Sequence, residues 1–293
     1  MRFILIAVCV LSAAFANAQF DEVSDRDRHY LRGLKWAFES NYNKAIKDFD
    51  EAIRLDPKYA DAYLGRGNAW KAKGKYDKAI QDYNDAIRLD PKYADAYFSR
   101  GIAWSGKGEY DKAIKDFNDA IRLNPKHSMV NYRRGAVWTM KGEYDKAIKD
   151  FDEAIRLNPK NVNIYKIRSI AWSAKREYGK AIEDCNEAIR LDPKDLIAHN
   201  NLAFILASCP EARCRNGAMA VKHATKACEL SGWQYEDCVD TLAAAYAETG
   251  NYDEAIKRQQ QAIQLAPKDK KDNYKAKLEL YKQGKPFREK PKK

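Results

Sequence analysis

Between residues 60 and 87 the apolar and small side chains fall at intervals of three and four: Ala60, Tyr63, Gly67 and Trp70, then Tyr76, Ala79, Ile80, Tyr83, Ala86 and Ile87. That spacing puts one buried stripe on each of two consecutive helices and leaves the remaining faces to water. "KGKYDKA" between the stripes supplies Gly74 to close the first helix and Asp77 as a cap for the second. An Asp or Asn before a proline then closes the unit. The pattern recurs, with prolines at 57, 91, 125, 159 and 193, each 34 residues after the last and each ending "AIRLDP" or "AIRLNP"; a final copy ends "AIQLAP" at Pro267. Gly33, Gly67, Gly101 and Gly135 are followed three residues later by Trp36, Trp70, Trp104 and Trp138, with Ser169 and Trp172 in the fifth copy. Tyr42, Tyr76, Tyr110, Tyr144 and Tyr178 each stand three residues before an alanine. A unit this short cannot bury a core alone, so the pattern predicts antiparallel helix pairs that stack on their neighbours, closest where Gly and Ala hold fixed columns.

This order of aromatic, glycine, aromatic, alanine and proline columns resembles the tetratricopeptide repeat family over about residues 26–269. Seven copies are expected, at 26–59, 60–93, 94–127, 128–161, 162–195, 196–235 and 236–269. The resemblance implies an all-α, right-handed superhelical solenoid of antiparallel helix pairs, with first helices lining its concave side. It also implies a scaffold that binds other proteins, with no enzymatic activity and no cofactor. Residues 270–283 read as a capping helix with Tyr274, Leu278 and Tyr281 turned to the last repeat, and 284–293 as a basic disordered tail.

Five copies carry an arginine before the glycine column, Arg32, Arg66, Arg100, Arg134 and Arg168. Sixteen residues on stands an aspartate, Asp48, Asp82, Asp116, Asp150 and Asp184. The family more often has leucine at that arginine position. In copies six and seven both members change together, to Leu202 with His223 and Leu242 with Arg258. A bidentate Arg–Asp ladder between first and second helices accounts for this; shared duplication history without contact is the alternative.

With the packing columns spent, the first helices offer Tyr30, Leu34, Phe38, Leu64, Asn68, Phe98, Ile102, Tyr132 and Lys166 to the concave side. An aromatic-rich groove of that kind suits an extended peptide or an amphipathic helix, although Tyr30, Leu34 and Phe38 equally suit a cover for the end of the stack. Some family members hold a C-terminal carboxylate between paired Lys and Asn on adjacent first helices. Asn68 lacks that neighbouring lysine, which disfavours the mode here.

Composition changes the picture at the two ends. Residues 1–18 have Arg2, an apolar run from Phe3 to about Phe15 and an Ala16-x-Ala18 cleavage pattern, and read as a secretory signal peptide; the run is short of the roughly 20 residues of a spanning helix. The net charge of +11 concentrates beyond residue 267, where eleven Lys and Arg face four Asp and Glu. No nucleic-acid partner is inferred from it: the tail reads as solvated, with contact to an anionic surface or polymer as the other option. Export places the chain in the periplasm or outside the cell, where disulfides persist. Cys185 takes an aromatic packing column and reads as an inert buried thiol. Cys209, Cys214, Cys228 and Cys238 cluster in the sixth copy, whose helices are separated by five inserted residues. A helix starting near Gly217 puts Cys228 ~15 Å from the inserted turn, which favours Cys209–Cys214 and Cys228–Cys238 pairs over other connectivities. A metal site of Cys209, Cys214, Cys228 and His199 or His223 is the rival, and no metal is assigned. The four histidines are scattered and no hydrolase, phosphate-loop or metalloprotease motif occurs, so catalysis is not expected. The function read from the chain is a protein-binding scaffold or adaptor; the alternative is an envelope-surface or anionic-polymer-associated protein acting through its tail.

Overall fold

A computed structural model describes residues 23–289; the expected signal peptide and residues 290–293 lie outside them. Among the described residues there are fifteen α-helices and no strand. Fourteen form seven consecutive pairs: α1 Asp25–Phe38 with α2 Tyr42–Leu55, α3 Ala60–Ala72 with α4 Tyr76–Leu89, α5 Ala94–Gly106 with α6 Tyr110–Leu123, α7 Ser128–Met140 with α8 Tyr144–Leu157, α9 Val162–Ala174 with α10 Tyr178–Leu191, α11 Leu196–Ser208 with α12 Gly217–Leu230, and α13 Glu236–Glu248 with α14 Tyr252–Leu265. The last helix, α15, spans Lys268–Lys282. The chain is an all-α solenoid. Its contacts divide it into two compact units, one ending at Val137 and the other beginning at Trp138, where the sequence suggests one uninterrupted array.

Within the first unit the glycine columns are where helices touch. A Cβ on Gly33 would come within 2.7 Å of the Phe49 ring, on Gly67 within 2.6 Å of Tyr83 and on Gly101 within 2.7 Å of Phe117. Where the aromatic is absent the small residue grows: in the second unit Ser169 stands against Cys185, whose thiol it hydrogen-bonds, and copies six and seven put Ala203 and Ala243 in the glycine column with Ala224 and Gln259 in the aromatic one. All six of these side chains are buried.

Each regular pair turns through a left-handed residue, Gly74, Gly108, Gly142 or Gly250, at φ +70 to +79°. Ser40 and Arg176 hold the same column at φ 58° and 65°, a conformation that costs a non-glycine residue about 1 kcal/mol or more. The turns differ from expectation in their caps. Asp77 and Asp145 do not cap the second helices, which begin one residue earlier at Tyr76 and Tyr144; the N-cap positions, Lys75 and Glu143, make no side-chain cap. Each Asp sits in the first turn, favourable against the helix dipole, and takes a lysine from the following pair: Lys107 Nζ reaches Asp77 Oδ1 at 2.5 Å, and Lys175 pairs with Asp145. At the other end Asp56, Asp90 and Asp192 accept the backbone N–H two residues on, at 2.9–3.0 Å, turning the chain into the next pair.

At the C-terminal end Tyr274, Leu278 and Tyr281 of α15 are buried. So is Lys277, whose Nζ lies 2.5 Å from Asp240 Oδ2 on α13, while Gln259 of α14 donates to Asp240 Oδ1 at 2.8 Å. The expected disordered tail is corrected for residues 285–289. After Gly284 turns the chain at φ +66°, they run without regular secondary structure back to α11 and α13, where Phe287 packs near Phe204 and the Glu289 amide donates to Ser208 O at 3.0 Å. No described helix is long and apolar enough to cross a membrane.

Candidate functional site

The arginine column does two jobs. In each of four pairs the guanidinium grips the aspartate of its own repeat with two parallel hydrogen bonds: Arg32 Nε to Asp48 Oδ2 at 2.8 Å and Nη2 to Oδ1 at 2.5 Å, with matching forks at Arg66–Asp82, Arg100–Asp116 and Arg168–Asp184. Nη1 meanwhile reaches the repeat before, to Asp50 from Arg66 at 2.6 Å, Asn84 from Arg100 at 2.7 Å, Asn118 from Arg134 at 2.5 Å and Asp152 from Arg168 at 2.5 Å. The aspartates are buried, and burial lifts the Asp82, Asp116 and Asp184 carboxyls against the pull of their arginines. This is stitching rather than a binding surface, because the forks are closed on themselves.

Most of the groove aromatics are half spent on packing. Tyr30 lies against Phe49 and Tyr59, with ring centres 5.9 and 5.0 Å away, and Phe98 against Phe117 and His127 at 6.1 and 5.2 Å. Leu34 and Leu64 pack onto the cores of the first and second pairs. Phe38 stands 70% exposed. Lys166, in the second unit, is held by Asp195 at 2.5 Å. The groove position Asn68 proves to be the polar centre of this face in the first unit. Asn68 Oδ1 accepts from Tyr83 Oη at 2.9 Å and from Lys71 Nζ at 3.2 Å. The lysine beside Asn68 therefore comes from the same helix, one turn on, and not from a neighbouring one. Burial, and then the Arg133 guanidinium, push Lys71 down to about 8. Ile102 on α5 and Tyr132 on α7 remain half-buried, and Arg133 lies 5.5 Å over the Tyr132 ring. A half-buried ammonium that also feels the charge of the exposed Arg133 favours a neighbouring anion.

The sixth pair is built differently. In the aspartate column this copy has His223 of α12, which meets His199 of α11, in the column of His29, at Nδ1···Nδ1 2.9 Å with rings stacked 27° from parallel, and His199 Nε2 lies 3.1 Å from Pro193 O. One proton serves the two Nδ1 atoms. With Nε2–H of His199 donating to the prolyl carbonyl, His223 is the donor between them. Burial first, then His199 and Lys222, push His223 down to about 4. A base whose folded pKa lies below its ordinary 6.5 leaves stability intact above pH 6.5 and removes it as pH falls toward 4, because the unfolded chain takes up the proton first. The melting temperature is expected to drop more steeply between pH 6.5 and 4.5 in the natural chain than in His223→Asn, which keeps a donor to His199 without titrating; parallel drops in calorimetry would show the pair to be inert.

All five described cysteines are thiols here, and Cys185, Cys209, Cys228 and Cys238 share one buried cluster, with Cys214 packed against it. Burial, a backbone hydrogen bond at Glu211 and then Cys214 set the Cys209 thiol at about 11; burial followed by Cys228 pushes Cys238 up to about 12. Cys209 and Cys214 thus lie within hydrogen-bond reach, Cys228 and Cys238 share one buried cluster, and neither expected pair is bonded in the structure. The histidines are occupied with each other, and among the described residues no group of three or more His, Cys, Asp or Glu side chains is arranged to hold a metal ion.

Profiles described as "TPR repeat" match residues 39–74 and 67–104, and profiles described as "Tetratricopeptide repeat" match 94–127, 130–161 and 238–269, together just over half of the chain. The chain is a tetratricopeptide repeat protein. Among solved TPR structures, MamA residues 41-end from Desulfovibrio magneticus RS-1 is 25% identical, with 60% of this chain on 96% of that one at TM-score 0.54. A tetratricopeptide repeat protein from Parabacteroides merdae ATCC 43184 aligns over 88% of this chain and 99% of its own at 17% identity and TM-score 0.59. YrrB, described as a TPR protein with an unusual peptide-binding site, is 21% identical over 58% of this chain and 88% of its own at TM-score 0.50. The last two are likenesses of fold alone. No curated protein matches the chain. TPR domains are typically non-catalytic, and the fold is that of a protein-binding scaffold.

Proposed function

We propose that this TPR protein is an exported, non-catalytic adaptor whose first unit holds an extended acidic peptide on the face formed by α3, α5 and α7. The observation that carries the reading is Lys71: half-buried, tied to Asn68, and destabilised as a cation by its own burial and by Arg133. A ligand carboxylate would supply the missing counter-charge, while Ile102, Phe98 and Tyr132 give its flanking side chains an apolar bed. Binding such a ligand draws a proton onto Lys71, so affinity weakens as pH rises through about 8. Export is supported by the pattern of residues 1–18, and the closeness of Cys209 to Cys214 and of Cys228 to Cys238 suits two disulfides in an oxidising compartment.

The test is an array of extended ten-residue peptides probed with the purified chain. Acidic sequences are expected to be retained, with affinity falling at least tenfold in Lys71→Met and in Phe98→Ala with Tyr132→Ala. Retention unchanged by these substitutions but abolished by deleting residues 284–293 would transfer the function to the basic tail. A mass of the unreduced mature chain four hydrogens below the thiol value would establish both disulfides.

A further inference from the structure

The first helices of this protein end alike except for α11. In α3 the Gly74 amide donates to Lys71 O at 2.9 Å and the Lys75 amide to Trp70 O at 2.9 Å; in α13 Gly250 and Asn251 do the same for Ala247 and Tyr246. The inserted turn after α11 breaks this arrangement. Ile205 O still receives Cys209 N–H at 3.0 Å and Leu206 O receives Asn216 N–H at 2.9 Å. The position that should serve Ala207 O is Pro210, which has no N–H. Ala207 and Ser208 are fully buried, so their carbonyls have to find donors elsewhere in the protein.

They find them in the C-terminal segment. Arg288 Nη1 donates to Ala207 O at 3.2 Å, Glu289 N–H to Ser208 O at 3.0 Å, and the Arg288 guanidinium pairs with Glu248 at the end of α13. Phe287 sits with its ring 6.5 Å from that of Phe204, under the Lys277 ammonium at 4.6 Å, and packs on the core of the last pair. Phe204 occupies the column that in the first unit holds Asn68 and Ile102, so the segment lies on the groove-lining positions of this unit's first helices. Every contact is one that another chain could make: a ring in a seat, a guanidinium on a carboxylate and a helix C-terminus, and one backbone N–H on a carbonyl.

We infer that Phe204, the α11 C-terminus and Glu248 form a second peptide site, specific for an aromatic residue followed by arginine in extended backbone, and that residues 287–289 fill it in cis. The chemistry fixes the class. The site presents the Ala207 and Ser208 carbonyls at the negative end of the α11 dipole and the second oxygen of Glu248, whose first oxygen Arg215 already holds at 3.0 Å, so it takes a guanidinium. The first-unit face has the opposite sign, and the two readings stand independently. A tether of four residues from the end of α15 gives the cis segment an effective concentration on the order of millimolar, so a partner's Phe-Arg segment binds only when it outcompetes or removes the strap.

The probe is a fluorescein-labelled peptide of the sequence QGKPFREKPKK, titrated by anisotropy into the full chain and into the full chain carrying Phe287→Ala with Arg288→Ala. The opened variant is expected to bind at least tenfold more tightly than the natural chain, and to lose at least tenfold on adding Phe204→Ala or on changing the peptide's arginine to alanine. Equal affinity for both chains, or no binding to the opened one, overturns the proposal and leaves the segment as a fastening for the last helices. Circular dichroism confirms that the opened chain is folded; if it is not, Arg288→Ala alone removes only the guanidinium contacts and decides the same question.

Discussion

Arg100→Leu, made alone, is expected to cost about 3 kcal/mol of stability, whereas Arg100→Leu with Asp116→Leu is expected to lie well above it. The single change removes both bonds of the fork and leaves the Asp116 carboxylate, 4% exposed, without its cation. An orphaned buried charge costs about 3–5 kcal/mol, while replacing both partners by apolar groups of similar volume is often neutral or better. The protein already contains the control, since Leu202 and Leu242 fill the arginine column and are buried. Urea unfolding followed at unchanged slope reads the difference. A single variant no less stable than the double would mean that the fork contributes no coupling.

Lys277→Met is expected to be comparably severe, at about 3–5 kcal/mol, and to act on the last two pairs first. Lys277 and Asp240 are each 7% exposed in their side chains, and the only charge balance for Asp240 on α15 is this ammonium. Gln259 continues to donate to Asp240 after the change, but a neutral amide does not offset a buried negative charge. Asp240→Asn in the Lys277→Met background should recover most of the loss, and proteolysis rates within residues 236–282 should follow the same order. A Lys277→Met chain as stable as the natural one would show that water reaches Asp240.

The repeat register was legible because each column has a packing reason: glycine under an aromatic ring, alanine at helix crossings, proline after the closing Asp or Asn. The arginine and aspartate stood out for a similar reason, since their spacing persists in five copies and both members vanish together in two. In the polar centre of the first unit Asn68 was legible as a groove position, but its ties to Tyr83 and Lys71 were not. Asn68 and Lys71 are one helical turn apart, and only burial depth and the position of Arg133, two repeats away, give them meaning. The His199–His223 contact repeats the columns of His29 and Asp48, which meet 19 residues apart in the first copy, but the five inserted residues stretch the spacing to 24 and mask it. The C-terminal strap had one readable sign. Pro210 stands where every other first helix needs a donor, and a missing donor beside buried carbonyls calls for another part of the chain to supply one.

The backward reach of the arginines bears on how such a chain changes length. Arg66 finds Asp50, Arg100 finds Asn84 and Arg134 finds Asn118, always 16 residues back, and Lys107 finds Asp77 30 back. Loss of a whole 34-residue block, such as 94–127, would bring Arg134 to Asn84 and leave no stitch without a partner. Gains and losses of whole copies by slippage in the coding sequence therefore preserve these stitches at the seam, whereas a deletion of any other length breaks them. The regular copies are interchangeable modules in inheritance. The sixth, with its own histidine pair and its debt to the C-terminal strap, is fixed in place.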